Sequence, residues 1–176
     1  LEANAFMRRL EAFEGIKRGS LSLPDKAQWE YVCRAGSRQP FNCGSDADSL
    51  KEAAWFAGNS GDLELLDEKI NKDELLNNQC RPHEVGKKQA NAFGVYDLHG
   101  NVWEWCSNWV SSSKKTKAVR GGAWNGKSTE CRSAIQRALN VKKRNAAIGM
   151  RLLYKADLLV QAFDPKLLHG RQLPDY

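Results

Sequence analysis

The sequence predicts an α+β fold with little regular secondary structure. Three observations carry that prediction. Helical periodicity is concentrated in two stretches before Gly36. Strand-period alternation appears only in short runs, most of them after Val102. The chain between these runs is mostly polar and follows neither period. A fold with so much irregular chain needs internal anchors, and the 176 residues include six tryptophans that can serve.

Leu1 to Glu14 predicts an amphipathic helix, with Ala5, Phe6, Leu10 and Phe13 on its apolar face and Gly15 as its stop. Leu21-Ser22-Leu23 reads as a short strand. Pro24-Asp25 then opens a second helix: Asp25 is the cap, Gln28 completes a capping box, and Gly36 ends it. Ala27, Trp29, Tyr31, Val32 and Cys33 form its apolar body. Residues 37–61 read as loop, anchored by Trp55-Phe56. Residues 62–81 form an acidic insert with Leu63, Leu66 and Ile70 at helical spacing, a short helix or lid whose acids face the basic part of the chain. Within Asn91 to Val110, Val102, Glu104 and Cys106 alternate with Trp103 and Trp105 at strand period. Val119 to Trp124 and Ile148 to Tyr154 read as two further strands. The organisation is one domain over residues 1–154 and an appendage over 155–176, with a short helix and then Pro165 and Pro174.

At 41% hydrophobic and 27% charged residues, the composition is that of a globular domain rather than a disordered or fibrous chain. No apolar run approaches the roughly 18–20 residues that cross a bilayer, and no membrane association is expected. The chain opens on a helix-like stretch rather than a basic–apolar signal peptide, which suggests a fragment or processed form. Five cysteines at wide, irregular spacing contain no Cys-x-x-Cys pair, so a structural zinc site and a dense disulfide framework are both disfavoured. A reducing, cytoplasmic setting is expected. Charge is unevenly spread. Residues 114–155 hold twelve bases and one acid, a net +11, while the rest, with fifteen bases against twenty acids, is −5. Such asymmetry suggests a face directed at an anionic partner.

Four stretches then carry a resemblance. They are Leu23 to Tyr31 (LPDKAQWEY), Asn91 to Trp105 (NAFGVYDLHGNVWEW), Arg120 to Asn125 (RGGAWN), and Cys131-Arg132-Ser133-Ala134 with Ile148-Gly149-Met150-Arg151. In order and spacing these resemble the formylglycine-generating-enzyme, or sulfatase-modifying-factor, family. The resemblance implies a variant of the C-type lectin fold, with two helices packed on a twisted antiparallel sheet. It also implies that the chain covers the later part of the family domain, whose first strands would come from another chain or a cleaved N-terminal portion.

The resemblance bears on activity. The family's enzymes oxidise a substrate cysteine with copper held by two thiolates, soft ligands suited to Cu(I). Those two positions fall here at Gly126 and Cys131. Half the pair is missing, which argues against copper and against catalysis and makes Cys131 a buried apolar residue; Cys131 is the catalytic candidate only if the enzyme reading holds. The histidine cluster of related iron enzymes has no counterpart in His83, His99 and His169. The family's calcium loop corresponds to Asp97 through Glu104. It implies ligation by the Asp97 and Glu104 carboxylates and the backbone carbonyls of Gly100 and Val102, a structural calcium in chemically apt oxygen donors. The residues alone leave a second arrangement open, in which Asp97 caps a turn and Glu104 pairs with an arginine such as Arg151.

In this fold the stretch from Trp124 to Ala147 carries the working surface, and here it reads as a polar, basic display loop. The expected function is a catalytically degenerate recognition module of bacterial type that binds a protein partner, with Asn125, Lys127, Arg132, Arg137, Lys142, Lys143 and Arg144 as contact candidates. Three alternatives stay open: a copper-dependent cysteine-oxidising enzyme, a ligand-displaying variable protein of a diversity-generating retroelement, and a nucleic-acid-binding module. The last is suggested by charge but lacks stacking aromatics in the basic segment.

Overall fold

The computed structural model describes residues 2–156; the helix expected in the appendage lies outside them. The order is α1 (Glu2–Phe13), β1 (Leu21–Ser22), α2 (Lys26–Arg34), α3 (Ala47–Ala53), β2 (Ala54–Trp55), α4 (Lys72–Asn77), β3 (His99–Gly100), β4 (Trp103–Trp109), β5 (Thr116–Arg120), β6 (Gln136–Asn140), β7 (Ile148–Gly149) and β8 (Leu153–Tyr154). The main sheet runs β6-β5-β4-β7, antiparallel except for the parallel β4–β7 pair. Two small ladders, β1-β8 and β2-β3, tie distant segments together.

α2 forms as its residues dictate. Asp25 Oδ1 accepts hydrogen bonds from the Ala27 and Gln28 amides, each at 2.8 Å, and Gln28 Oε1 accepts one from the Asp25 amide at 2.9 Å. Trp29 and Cys33, four residues apart on one face, pack under the sheet with Leu98, Cys106 and Ala118. A buried cation fixes this contact. Arg120 on β5, 5% exposed, donates to Glu30 Oε2 at 2.8 Å, to the Lys26 carbonyl at 3.2 Å, and to the Ser133 and Ile135 carbonyls. Burial pushes the Glu30 carboxyl up, but the hydrogen bonds and charges of Arg34 and Arg120 outweigh it and hold it below its ordinary range.

Several expectations need correction. α1 forms, but it buries Met7 and Glu11 while Phe6 and Phe13 stay 37% and 46% exposed. The reason is Glu11, whose Oε1 accepts from the Gly19 and Leu21 amides and turns its own face of the helix toward β1. Residues 37–61 are not all loop. Asp46 caps α3 through the Ser49 amide at 2.8 Å, and Leu50 is fully buried. The strand expected over 148–154 is two strands that join different ladders. β6 falls inside the stretch expected to be a display loop. Leu63 and Leu66 do not form a helix face; both are exposed, at 73% and 57%. Among the tryptophans expected to be structural, Trp103 is buried, whereas Trp109 is 45% exposed with the Lys117 ammonium 4.4 Å above its ring.

Candidate functional site

The surface from Trp124 to Ala147 is pinned at both ends. The Trp124 amide donates to the Asn101 carbonyl at 2.8 Å, and at the other end the Ala147 carbonyl accepts from the Trp103 amide at 2.9 Å. Residues 128–131 form one 3-10 turn, and its first amide, Ser128, donates to the carboxylate of Asp67 from the insert at 3.1 and 3.2 Å. The Ser128 hydroxyl bonds the same carboxylate. The acidic insert thus meets the basic segment at a serine, through one acid. At the far end Asn140 accepts from the Lys142 amide with its side chain and from the Lys143 amide with its carbonyl, a turn that sets both lysines outward.

All seven candidate contact residues are exposed: Asn125, Lys127, Arg132, Arg137, Lys142, Lys143 and Arg144. They are not equivalent. Arg137 pairs with Glu130 and lies 4.9 Å over the Trp103 ring, and Arg144 pairs with Glu2. Lys127, Arg132, Lys142 and Lys143 make no ion pair among the described residues. Two of the twelve bases counted in the segment serve the interior instead. Arg120 is buried, and Arg151 grips Glu104.

Cys131 is fully buried. A β-carbon on Gly122 would lie 2.6 Å from its sulfur, so the backbone of the Gly121-Gly122 pair seals the thiol. Burial, with the Asp67 charge second, pushes the thiol up to about 12. All five cysteines are free. His99, for which no catalytic role is expected, is 1% exposed. Its Nδ1 meets the Cys131 carbonyl at 2.7 Å and its Nε2 accepts from the Asn42 amide at 3.1 Å, which sets the tautomer. Burial holds its pKa down at about 4, so the ring is neutral.

From the Asp97–Glu104 loop, Asp97, Asn101, Val102 and Glu104 line a cavity of about 490 Å³ together with Val85, Val95, Tyr96 and Met150; Gly100 is not in its wall. Positive φ at Asp97, Gly100 and Asn101 coils the loop tightly. Gly100 is required sterically, because a β-carbon there would lie 2.0 Å from the Trp55 carbonyl. Asp97 Oδ2 accepts from Gly86 at 2.7 Å, while its Oδ1 is buried without a partner. Glu104 Oε2 accepts from Trp29 Nε1 at 2.6 Å and Arg151 Nε at 3.0 Å, and Oε1 from Arg151 Nη2 at 2.8 Å. The donor set suits calcium at the orphaned Asp97 oxygen and at the second lone pair of Glu104 Oε1. Arg151 already supplies a positive charge there and opposes a second. No group of three or more His, Cys, Asp or Glu arranged to hold a metal occurs among the described residues.

Sequence reasoning missed Asp67 as a contact and β6 as a strand. The only signal for Asp67 was the acidity of the insert.

Comparison with known proteins agrees with this architecture. The chain is 33% identical over 106 residues to a chaperone protein LppX of Paenibacillus barcinonensis, covering 58% of this chain and 38% of that one. It is 27% identical over 108 residues to an inactive C-alpha-formylglycine-generating enzyme 2 of Bos taurus, covering 58% and 32%. It therefore spans well under half the length of either relative. Among solved structures, variable protein 1 of Treponema denticola superposes with a TM-score of 0.62 at 27% identity, over 75% of this chain and 46% of that one. The model of the sulfatase-modifying factor enzyme 1-like domain matches residues 2–156, and the chain belongs to that formylglycine-generating-enzyme family.

Proposed function

We propose that this domain is a recognition module without catalytic activity, binding a protein partner through the basic surface of residues 124–147. The carrying observation is a contrast within that surface. Lys127, Arg132, Lys142 and Lys143 stand exposed without ion pairs among the described residues, while the one cysteine at a family copper position is sealed and held protonated. Thiolates, not thiols, bind copper. Likeness to an inactive formylglycine-generating enzyme 2 supports the non-catalytic half of the reading. The test is selection of a displayed random-peptide library on the intact chain and on a variant with those four bases changed to Glu. Acidic sequences should be enriched on the parent chain only; equal enrichment on both would remove the basic surface from the reading.

A second reading is ligand display of the kind expected for a variable protein of a diversity-generating retroelement. Likeness to the Treponema denticola variable protein favours it. Flanking DNA with no near-identical template repeat would end it. A nucleic-acid role predicts steep loss of affinity with salt, and binding that is flat across salt would exclude it. For the loop at Asp97 we propose a structural calcium held by the Asp97 and Glu104 carboxylates and the Gly100 and Val102 carbonyls, supported by the orphaned Asp97 oxygen.

A further inference from the structure

β6 is the terminal strand in the order β6-β5-β4-β7. Its register on β5 pairs Lys117 with Leu139, Ala118 with Ala138 and Val119 with Arg137. The Thr116 carbonyl points at β4, accepting from Val110 at 3.0 Å, and the Lys115 carbonyl points the other way, accepting from Val141 at 3.1 Å. Backbone direction alternates along an antiparallel strand. Arg137 and Leu139 therefore direct their N–H and C=O groups at β5, while Gln136 and Ala138 direct theirs outward. The outward groups of Gln136 and Ala138 have no backbone partner among the described residues. The side chains of Gln136, Arg137 and Ala138 are exposed, and the alanine methyl leaves the approach to the edge open.

We propose that β6 receives an extended, acidic segment of a partner protein as a fifth strand of the sheet. The proposal rests on the reading of residues 124–147 as a recognition surface and names how the partner is held. Backbone hydrogen bonds at Gln136 and Ala138 provide attachment, and cations around the edge provide selectivity. Arg137 on the strand, Arg132 four residues before it, and Lys142 and Lys143 two and three residues after it flank the edge along the chain with exposed positive charge. Open edges are commonly guarded by such charges, which repel unwanted pairing. Here the guard repels a second copy of the same strand, which would set Arg137 and the lysines against their own kind. It attracts an anionic strand. Glu130 pairs with Arg137, whose side chain is about half exposed, and solvent screening keeps the pair exchangeable. A nucleic-acid strand matches this edge less well, because its phosphates only accept hydrogen bonds while the edge offers carbonyls as well as amides.

The test is fluorescence anisotropy of the intact chain with a labelled octapeptide of alternating glutamate and valine, and with the same sequence methylated at every peptide nitrogen. Two protein variants accompany it: Ala138→Pro, and the double charge reversal Lys142→Glu with Lys143→Glu. Proline at 138 removes an outward N–H and no bond to β5, so circular dichroism should show a folded protein. The plain peptide should bind, with methylation and Ala138→Pro each weakening it by about tenfold or more. Charge reversal should weaken it too. Should Ala138→Pro fail to fold, the methylated peptide decides alone. Equal binding of both peptides, with loss only on charge reversal, overturns strand addition and leaves the basic recognition surface standing. Absence of binding up to about 1 mM overturns strand addition, and the surface then rests on the library selection. A dimer in sedimentation that Ala138→Pro dissolves assigns the edge to a second copy and also overturns the proposal.

Discussion

Arg151 grips Glu104 through two hydrogen bonds, Nη2 to Oε1 at 2.8 Å and Nε to Oε2 at 3.0 Å. Trp29 adds a third at 2.6 Å, so one carboxylate joins α2, β4 and the segment after β7. Removing one member of a buried pair leaves the other charge unmatched. Arg151 keeps some solvent, with its side chain 29% exposed, which softens the penalty. Glu104→Gln should therefore lower stability by about 2–3 kcal/mol in chemical denaturation. It should also shift the emission of Trp29. A loss under about 1 kcal/mol would show that packing rather than charge holds this junction.

The same arginine sets the expectation for calcium. The orphaned Asp97 Oδ1 gains a partner when the ion binds, so calcium should raise the thermal midpoint by a few degrees over a chelated sample. Asp97→Asn should abolish that rise. Because Arg151 shares Glu104, Arg151→Gln should tighten calcium binding even as it weakens the chelated protein. Calorimetric titration of the three proteins measures this. An identical midpoint with and without calcium in the unsubstituted chain would retire the calcium proposal.

Asp67 acts as a cap supplied from a distance. Lys127, which precedes the 3-10 turn of residues 128–131, offers no side-chain cap of its own, and the Asp67 carboxylate takes the Ser128 amide instead. Loss of a cap costs about 1 kcal/mol, with a range near 0.5–2. Asp67→Ala should show a loss of that size and faster proteolysis within residues 62–81. If cleavage in the insert is unchanged, the insert is held by something other than this contact.

What was legible in the sequence was local or motif-borne. The Asp25–Gln28 capping box needs four residues, and it forms as read. The loop from Asp97 to Glu104 was found by its motif, and the pairing of Glu104 with Arg151 was one of two arrangements the residues left open. What escaped depends on partners far along the chain. Arg120 is one of the twelve bases of the 114–155 segment, but its acid, Glu30, lies 90 residues away in sequence. β6 reads Gln-Arg-Ala-Leu-Asn; its inner face is only partly covered, and Arg137, over the Trp103 ring, breaks the apolar alternation between Ile135 and Leu139. α3 is seven residues long, too short to establish a helical period, although its cap and Leu50 are in place.

His99 predicts a specific acid sensitivity. Its folded pKa of about 4 lies below the unfolded value near 6.5. Between these values the unfolded chain binds a proton that the folded chain refuses, so stability rises with pH across the window. The contribution is fully present above about pH 6.5 and is lost as the pH falls toward 4. The difference in pKa corresponds to about 3 kcal/mol over that range. His99→Gln retains a donor for the Cys131 carbonyl and an acceptor for the Asn42 amide, but it has no proton to gain. The variant should be less stable at pH 7, because the ring also packs against Phe41. Its urea midpoint should fall less steeply than that of the unsubstituted chain between pH 6.5 and 4. Parallel pH profiles for the two proteins would mean that the ring takes its proton at Nε2 without unfolding, by giving up its bond from the Asn42 amide.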